Sequence, residues 1–132
     1  MAYATRDDLV TRYGADEIEQ RESVLPAGAV AQALADADAV IEGYMVGLYR
    51  LPLSPAPANL AQVACAIARY HLLGDAVTER ARYDYKDAID WLKDVRGGRV
   101  QLQGAAPVPA NEPAAVVMYA GSPSVFKRAG RP

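Results

Sequence analysis

Proline and glycine cut this 132-residue chain into four helix-length pieces and a remainder. Pro52, Pro55 and Pro57 fall within six residues. Each removes a backbone donor and restricts the residue before it, so no helix continues through that stretch. Gly14, Gly74 and the Gly97-Gly98 pair follow the other periodic segments, where a helix ends most easily. Five of the nine prolines lie in the last 29 residues, which favour extended backbone. The punctuation predicts an all-α chain. Residues 1–103 form a small antiparallel bundle of about four helices with a short strand, and residues 104–132 form an extended C-terminal arm. One domain suits this length.

Each segment carries its own signals. Thr5 is an N-cap with Asp8 as the capping-box acid. Leu9, Val10 and Tyr13 give the first helix its apolar face, and Asp16 to Glu22 form a short further turn around Ile18. Pro26 begins the second helix. Its seam is Val30, Leu34, Ala37, Ile41, Tyr44 and Leu48, spaced by fours and threes. Gly43 and Gly47, one turn apart, permit close backbone approach, and with Tyr83 they are candidate subunit-interface residues. Leu51 and Leu53 plug the bundle end. The third helix runs from Ala58 or Asn59 to Leu73, facing inward with Leu60, Val63, Ala64, Ile67, Tyr70 and His71. Arg69 is its one charged residue, so it belongs at the centre of the bundle or in a partner. Thr78 or Asp75 caps the fourth helix, whose inward face is Tyr85, Ala88, Ile89, Leu92 and Val95. Lys86–Asp90 and Asp90–Lys93 pair on its outside. Arg99 to Gln103 alternates as a short strand does.

The chemistry of catalysis is hard to build from these residues. The one cysteine, Cys65, and the one histidine, His71, are about 600° of helical rotation apart and point differently. His71, Asp75 and Glu79 step by four, but Gly74 interrupts them, so His71 reads as a partly buried helix-end histidine and no metal or cofactor is expected. Asp36, Asp38 and Glu42 read as a solvated face. Asp84, Asp87, Asp90 and Asp94 are diluted by Arg80, Arg82, Lys86 and Lys93. No catalytic residue is assigned, and the chain is not expected to be an enzyme.

Interaction is the remaining role. Net charge is −2, which leaves no basic footprint for nucleic acid. Arg96 and Arg99 flank the Gly97-Gly98 stop near the negative end of the fourth helix, which Arg96 complements, and they are the candidate DNA-facing residues. No apolar run nears the roughly 20 residues that cross a bilayer. The start of the chain is acidic where a signal peptide is basic. Eight tyrosines suit half-buried and interfacial positions. The arm holds Val116, Val117, Met118, Tyr119, Val125 and Phe126, apolar groups that fit partner binding. With Lys127, Arg128 and Arg131 against Glu112 it is net +2, which leaves −4 on the body. A compact body with a sticky arm is an assembly part.

Longer patterns agree. Tyr3-Ala4-Thr5 with Asp8-Leu9 and Arg12-Tyr13-Gly14 comes first. Ala33 to Ala37 follows, then Ile41 to Tyr44 and Tyr49 to Leu53. Ala66 to Tyr70 with Leu73-Gly74-Asp75 is next, then Tyr85 to Leu92 and Gly98-Arg99-Val100. In that order they resemble the phage Mu-type head-completion, or head–tail connector, family of tailed phages and prophages. Ser124-Val125-Phe126 stands where the family pattern carries Arg-x-Phe. The resemblance implies a virion structural protein, made in the host bacterial cytoplasm and placed at the head–tail junction. Its partners would be other copies in a ring, commonly twelve-fold on the portal, the portal protein, a tail-side joining or tail terminator protein, and packaged DNA through non-specific contact. The alternative is a small helical DNA-binding or regulatory adaptor.

Overall fold

The computed structural model describes residues 3–53, 56–102 and 107–108. They form five α-helices: α1 (Arg6–Tyr13), α2 (Ala15–Val24), α3 (Ala29–Met45), α4 (Leu60–Leu73) and α5 (Glu79–Arg96), with a 3₁₀ turn at Gly74–Ala76. The all-α expectation holds. The short strand does not form: residues 99–102 are bends and coil, and the one β-type pairing among the described residues is an isolated antiparallel bridge between Tyr49 and Pro107.

Local chemistry sets the helix ends. The Thr5 hydroxyl accepts from Asp8 N–H while the Asp8 carboxylate accepts from Thr5 N–H, a complete capping box. Thr78 rather than Asp75 caps α5, accepting from Ala81 N–H. The segment around Ile18 is a ten-residue helix, not a short turn, and it buries Ile18 against the rest. Helix α3 begins three residues after Pro26, because Gly28 takes a left-handed conformation (φ 83°) at its N-cap. It stops at Met45, so Met45 and not Leu48 fills the last buried position of the seam. Gly47 lies beyond the helix at φ 84° and serves the turn.

The core is organised around α4. Nine of its fourteen residues are buried, including Leu60, Cys65, Ile67 and Leu72. It packs against α3, α5 and α1, and α1 also lies on α2. The alanines Ala64, Ala66 and Ala68 let neighbours approach from several sides, which explains why so short a helix can be enclosed. His71 is the exception on its predicted face: it is exposed, at the turn where α4 ends. Leu53 is buried and Leu51 is 37% exposed, so one leucine, not two, plugs the end of the helices.

No charged side chain is buried among the described residues. Hydrophobic burial therefore dominates, and truncation at its centre is costly. Ile67→Ala removes a fully buried side chain beside α4's neighbours and should lower unfolding free energy by about 2–5 kcal/mol, read from the urea midpoint.

Candidate functional site

Three surfaces stand out, and each is built from a different part of the sequence. The first is the anchor of the chain end. Beyond α5, the Arg99 and Val100 N–H groups both donate to the Asp94 carbonyl, and the chain turns back across the helix ends. Leu102 is buried, and its N–H donates to the Tyr49 hydroxyl at 2.9 Å. Pro107 bridges Tyr49, and Val108 N–H donates to the Leu48 carbonyl at 3.0 Å. The chain is thus tied to its own body past the expected 103/104 boundary. Residues 109–132, including Val116 to Tyr119, Val125 and Phe126, lie outside the described residues.

Arg96 and Arg99 sit at this same end. The Arg96 guanidinium donates to the Val46 carbonyl, and that of Arg99 pairs with Asp94 at 3.1 Å. Arg96 thus meets the C-terminal end of α3 rather than that of its own helix, and Arg99 meets a side-chain carboxylate of α5. Arg96 also joins the end of α5 to the end of α3.

The second surface is a cleft of about 450 Å³ where α1, α4 and α5 meet, lined by Arg12, Tyr13, Gln62, Asp84, Asp87 and Trp91 among others. Beneath it Arg69 makes a two-pronged pair with Glu17 at 2.9 and 3.0 Å. Its guanidinium also lies 3.8 Å from Asp84 and 4.3 Å above the Tyr13 ring. The lone charge of α4 therefore joins α2, α4 and α5 at one point. Burial pushes the Tyr13 phenol up to about 12.

The third surface is a groove of about 460 Å³ on α3, formed by Ala35, Asp38, Ala39, Glu42, Leu51 and Pro52. One wall of it holds the start of the chain. Tyr3 N–H donates to Asp38 Oδ1 at 3.0 Å, and its hydroxyl donates to Glu42 Oε2 at 2.6 Å. That hydroxyl in turn accepts from Leu53 N–H at 3.0 Å. Burial and the Glu42 hydrogen bond raise the Tyr3 phenol to about 12, and burial raises the Asp38 carboxyl. Asp38 and Glu42 are thus more than a solvated face. Their four-residue spacing was visible, but nothing local pointed to a partner 35 and 39 residues away.

The remaining sequence candidates separate. Gly43 and Gly47 are exposed at the end of α3, and a Cβ on Gly43 would meet nothing within 4 Å. Gly43 therefore serves no close helix approach among the described residues. Tyr83 is 57% exposed on α5, 13 residues before Arg96 and so about 20 Å along the helix from the Arg96–Val46 junction. Tyr70 and Tyr85 stack at 4.0 Å with His71 beside them, which uses three aromatic rings at the core edge. Cys65 is buried and burial pushes its thiol up to about 11, while His71 is exposed, so they form no nucleophile pair. No set of three His, Cys, Asp or Glu side chains able to hold a metal occurs among the described residues. No helix among them is long and apolar enough to cross a membrane.

Comparison with known proteins matches residues 3–120 to the family described as "Bacteriophage Mu, Gp36". Gene product J of Escherichia phage Mu is 35% identical over a 138-residue alignment that covers 97% of this chain and 96% of that protein. The Mu-like prophage FluMu protein gp36 of Haemophilus influenzae is 39% identical over 105 residues, 76% of this chain and 74% of that one.

Two outcomes follow from the geometry. Tyr49→Phe removes the acceptor of Leu102 N–H, so amide exchange at Leu102 and Val108 should quicken by roughly tenfold while α4 amides hold their protection. Tyr3 and Tyr13 ionise near 12 in the fold and near 10 when unfolded. Their contribution is present below about pH 10 and is lost as pH rises through about 12. Cys65 ionises near 9 when unfolded and is pushed up to about 11 in the fold, so the urea midpoint should begin to fall above about pH 9 and fall further by about pH 11, less steeply in Tyr3→Phe.

Proposed function

The chain belongs to the bacteriophage Mu Gp36 family, and from that premise we propose that it is a virion structural protein, the head-completion or head–tail connector subunit. It forms a ring beneath the portal and joins the filled head to the tail. Residues 3–102 supply the ring wall. Residues 109–132 supply the contact that reaches an adjacent subunit, the portal protein or a tail-side joining protein.

One observation carries this reading: a body with its own core holds the chain at Val108, with 24 residues still to come. Those residues include Val116 to Tyr119 and Val125-Phe126, apolar groups that follow the last tie to the body among the described residues. The match to the family runs to residue 120, across this anchor, so residues 109–120 of the following segment lie within it. A ring is closed by heterologous contacts, which need two different patches on each subunit, and an arm with a separate receiving surface meets that requirement. Val116 to Tyr119 could add as a strand to a partner's sheet edge.

The DNA-binding adaptor reading gains nothing from Arg96 and Arg99, whose guanidinium groups are engaged with Val46 and Asp94. A DNA-binding protein with several phosphate contacts would lose affinity steeply with salt.

Removing residues 109–132 keeps the Val108 anchor. The truncated chain should retain its helical signal and its urea midpoint to within about 0.5 kcal/mol, but should fail to assemble on purified portal rings by native mass measurement. Full portal assembly by the truncated chain would overturn the arm's role. Failure of the intact chain to bind portal would overturn the connector reading.

A further inference from the structure

The described surface holds several concave sites, and their charges differ. The cleft between α1, α4 and α5 sets Arg12 and Arg80 against Asp84 and Asp87, which balance. The groove between α2 and α3 contains Arg6 and Glu22, already paired at 2.8 Å. The groove on α3 is different: its lining holds Asp38 and Glu42 and no cation. Helix α3 carries three acids and no lysine or arginine over its 17 residues. Among the described residues Tyr3 is the hydrogen-bond partner of both groove carboxylates, taking Oδ1 of Asp38 and Oε2 of Glu42 and leaving the second oxygen of each.

The groove also has apolar character in the right place. Ala35 and Ala39 are exposed along its floor and hold no atoms beyond Cβ that would fend off an incoming backbone. Leu51, 37% exposed, and Pro52 stand on its rim. The ligand that suits it joins one or two apolar side chains to two adjacent cations. The chain contains such a segment: Val125-Phe126-Lys127-Arg128, near the end of an arm whose net charge is +2.

We propose that this groove receives the segment Val125–Arg128 of a neighbouring copy of the same chain. Lys127 and Arg128 lie against Asp38 and Glu42, and Phe126 packs between Ala39 and the Leu51–Pro52 rim. The proposal rests on the connector reading and names the contact that closes neighbour to neighbour. Val125 lies seventeen residues along the chain from Val108, a span of up to about 60 Å, against about 25 Å for the whole of α3. The segment is therefore long enough to reach a neighbouring subunit. Arm and groove are two unlike patches on one chain, the pair a heterologous contact requires.

Cross-linking tests it on full-length chains. Ala39→Cys is placed in one tagged chain and Ser124→Cys in a differently tagged chain, and the two are mixed with and without portal protein under mild oxidation. Ala39 is exposed, and Cys65 is buried and does not compete. A disulfide-linked heterodimer is the expected product. Its yield should fall roughly fivefold with Lys127→Glu and Arg128→Glu together, and fall as salt rises. Ala35→Lys in the groove chain should recover yield with that reversed arm. No heterodimer in either condition overturns the proposal, as does a loop closed only within one chain when both cysteines are on it. Portal rings that still assemble without the cross-link leave the connector reading standing and remove this contact alone.

Discussion

The burial of α4 is the constraint on which the rest depends. A fourteen-residue helix with nine buried residues cannot stand as an isolated segment, and each neighbour must supply an apolar stripe to a different side of it. Helices α3 and α5 do so with Ile41, Met45, Leu92 and Val95, and α1 does so with Leu9. Alanine makes the arrangement possible, because Ala64 and Ala68 keep one face thin and Ala66 another. A charge on such a helix must reach an edge. Arg69 does, and its bidentate pair with Glu17 then becomes the polar fastening that joins α2 to the core helix. The salt bridge is partly exposed, so its net contribution is small beside the burial of Ile67 or Leu60. It fixes placement more than it supplies stability.

Both ends of the described chain are held by tyrosine hydroxyls. Tyr3 ties the start to α3 and to Leu53, and Tyr49 ties Leu102 beside the α3 end. Each ring is largely covered while its oxygen meets a polar partner, the amphipathic use that explains why tyrosine outnumbers phenylalanine eight to one here. The apolar ring gains from burial, and the hydroxyl satisfies a backbone N–H that would otherwise be lost to water as the chain crosses the surface.

Much of this was legible from residue spacing. The capping box at Thr5, the stop at Gly14, the near-uncharged centre of α4 and the inward face of α5 are local signals, and local chemistry decided them. The errors fall where non-local geometry decided. Gly28 in a left-handed cap delayed α3 past Pro26, and the turn at Gly47 removed Leu48 from the seam. Alternation at residues 99–103 suggested a strand, but Val100 and Leu102 instead cover the end of the helices, with no partner strand alongside among the described residues. Of the candidate surfaces, the two carboxylates of the α3 groove were visible as a pair. The Tyr3 tie and the Leu51–Pro52 rim that turn them into a groove were not, because they come from chain segments far away in sequence.

The anchor at Val108 matters for direction more than for entropy. The cost of closing a segment between the body and a partner-bound end grows only with the logarithm of its length. Shortening that segment from the 23 residue steps between Leu102 and the proposed contact at Val125 to the 17 between Val108 and Val125 changes the cost by only about 0.3 kcal/mol. Such a gain would not justify a buried Leu102, a bridge at Pro107 and two backbone hydrogen bonds. What these contacts do supply is a fixed point of departure, beside Tyr49 and the junction of α3 with α5, only a few residues along the chain from the Leu51–Pro52 rim of the acidic groove. In the proposed ring every subunit would repeat the same relation to the next, so a departure point tied to the body would send each arm toward the same neighbour. A chain end tied only at Leu102 would have similar reach and no such bias.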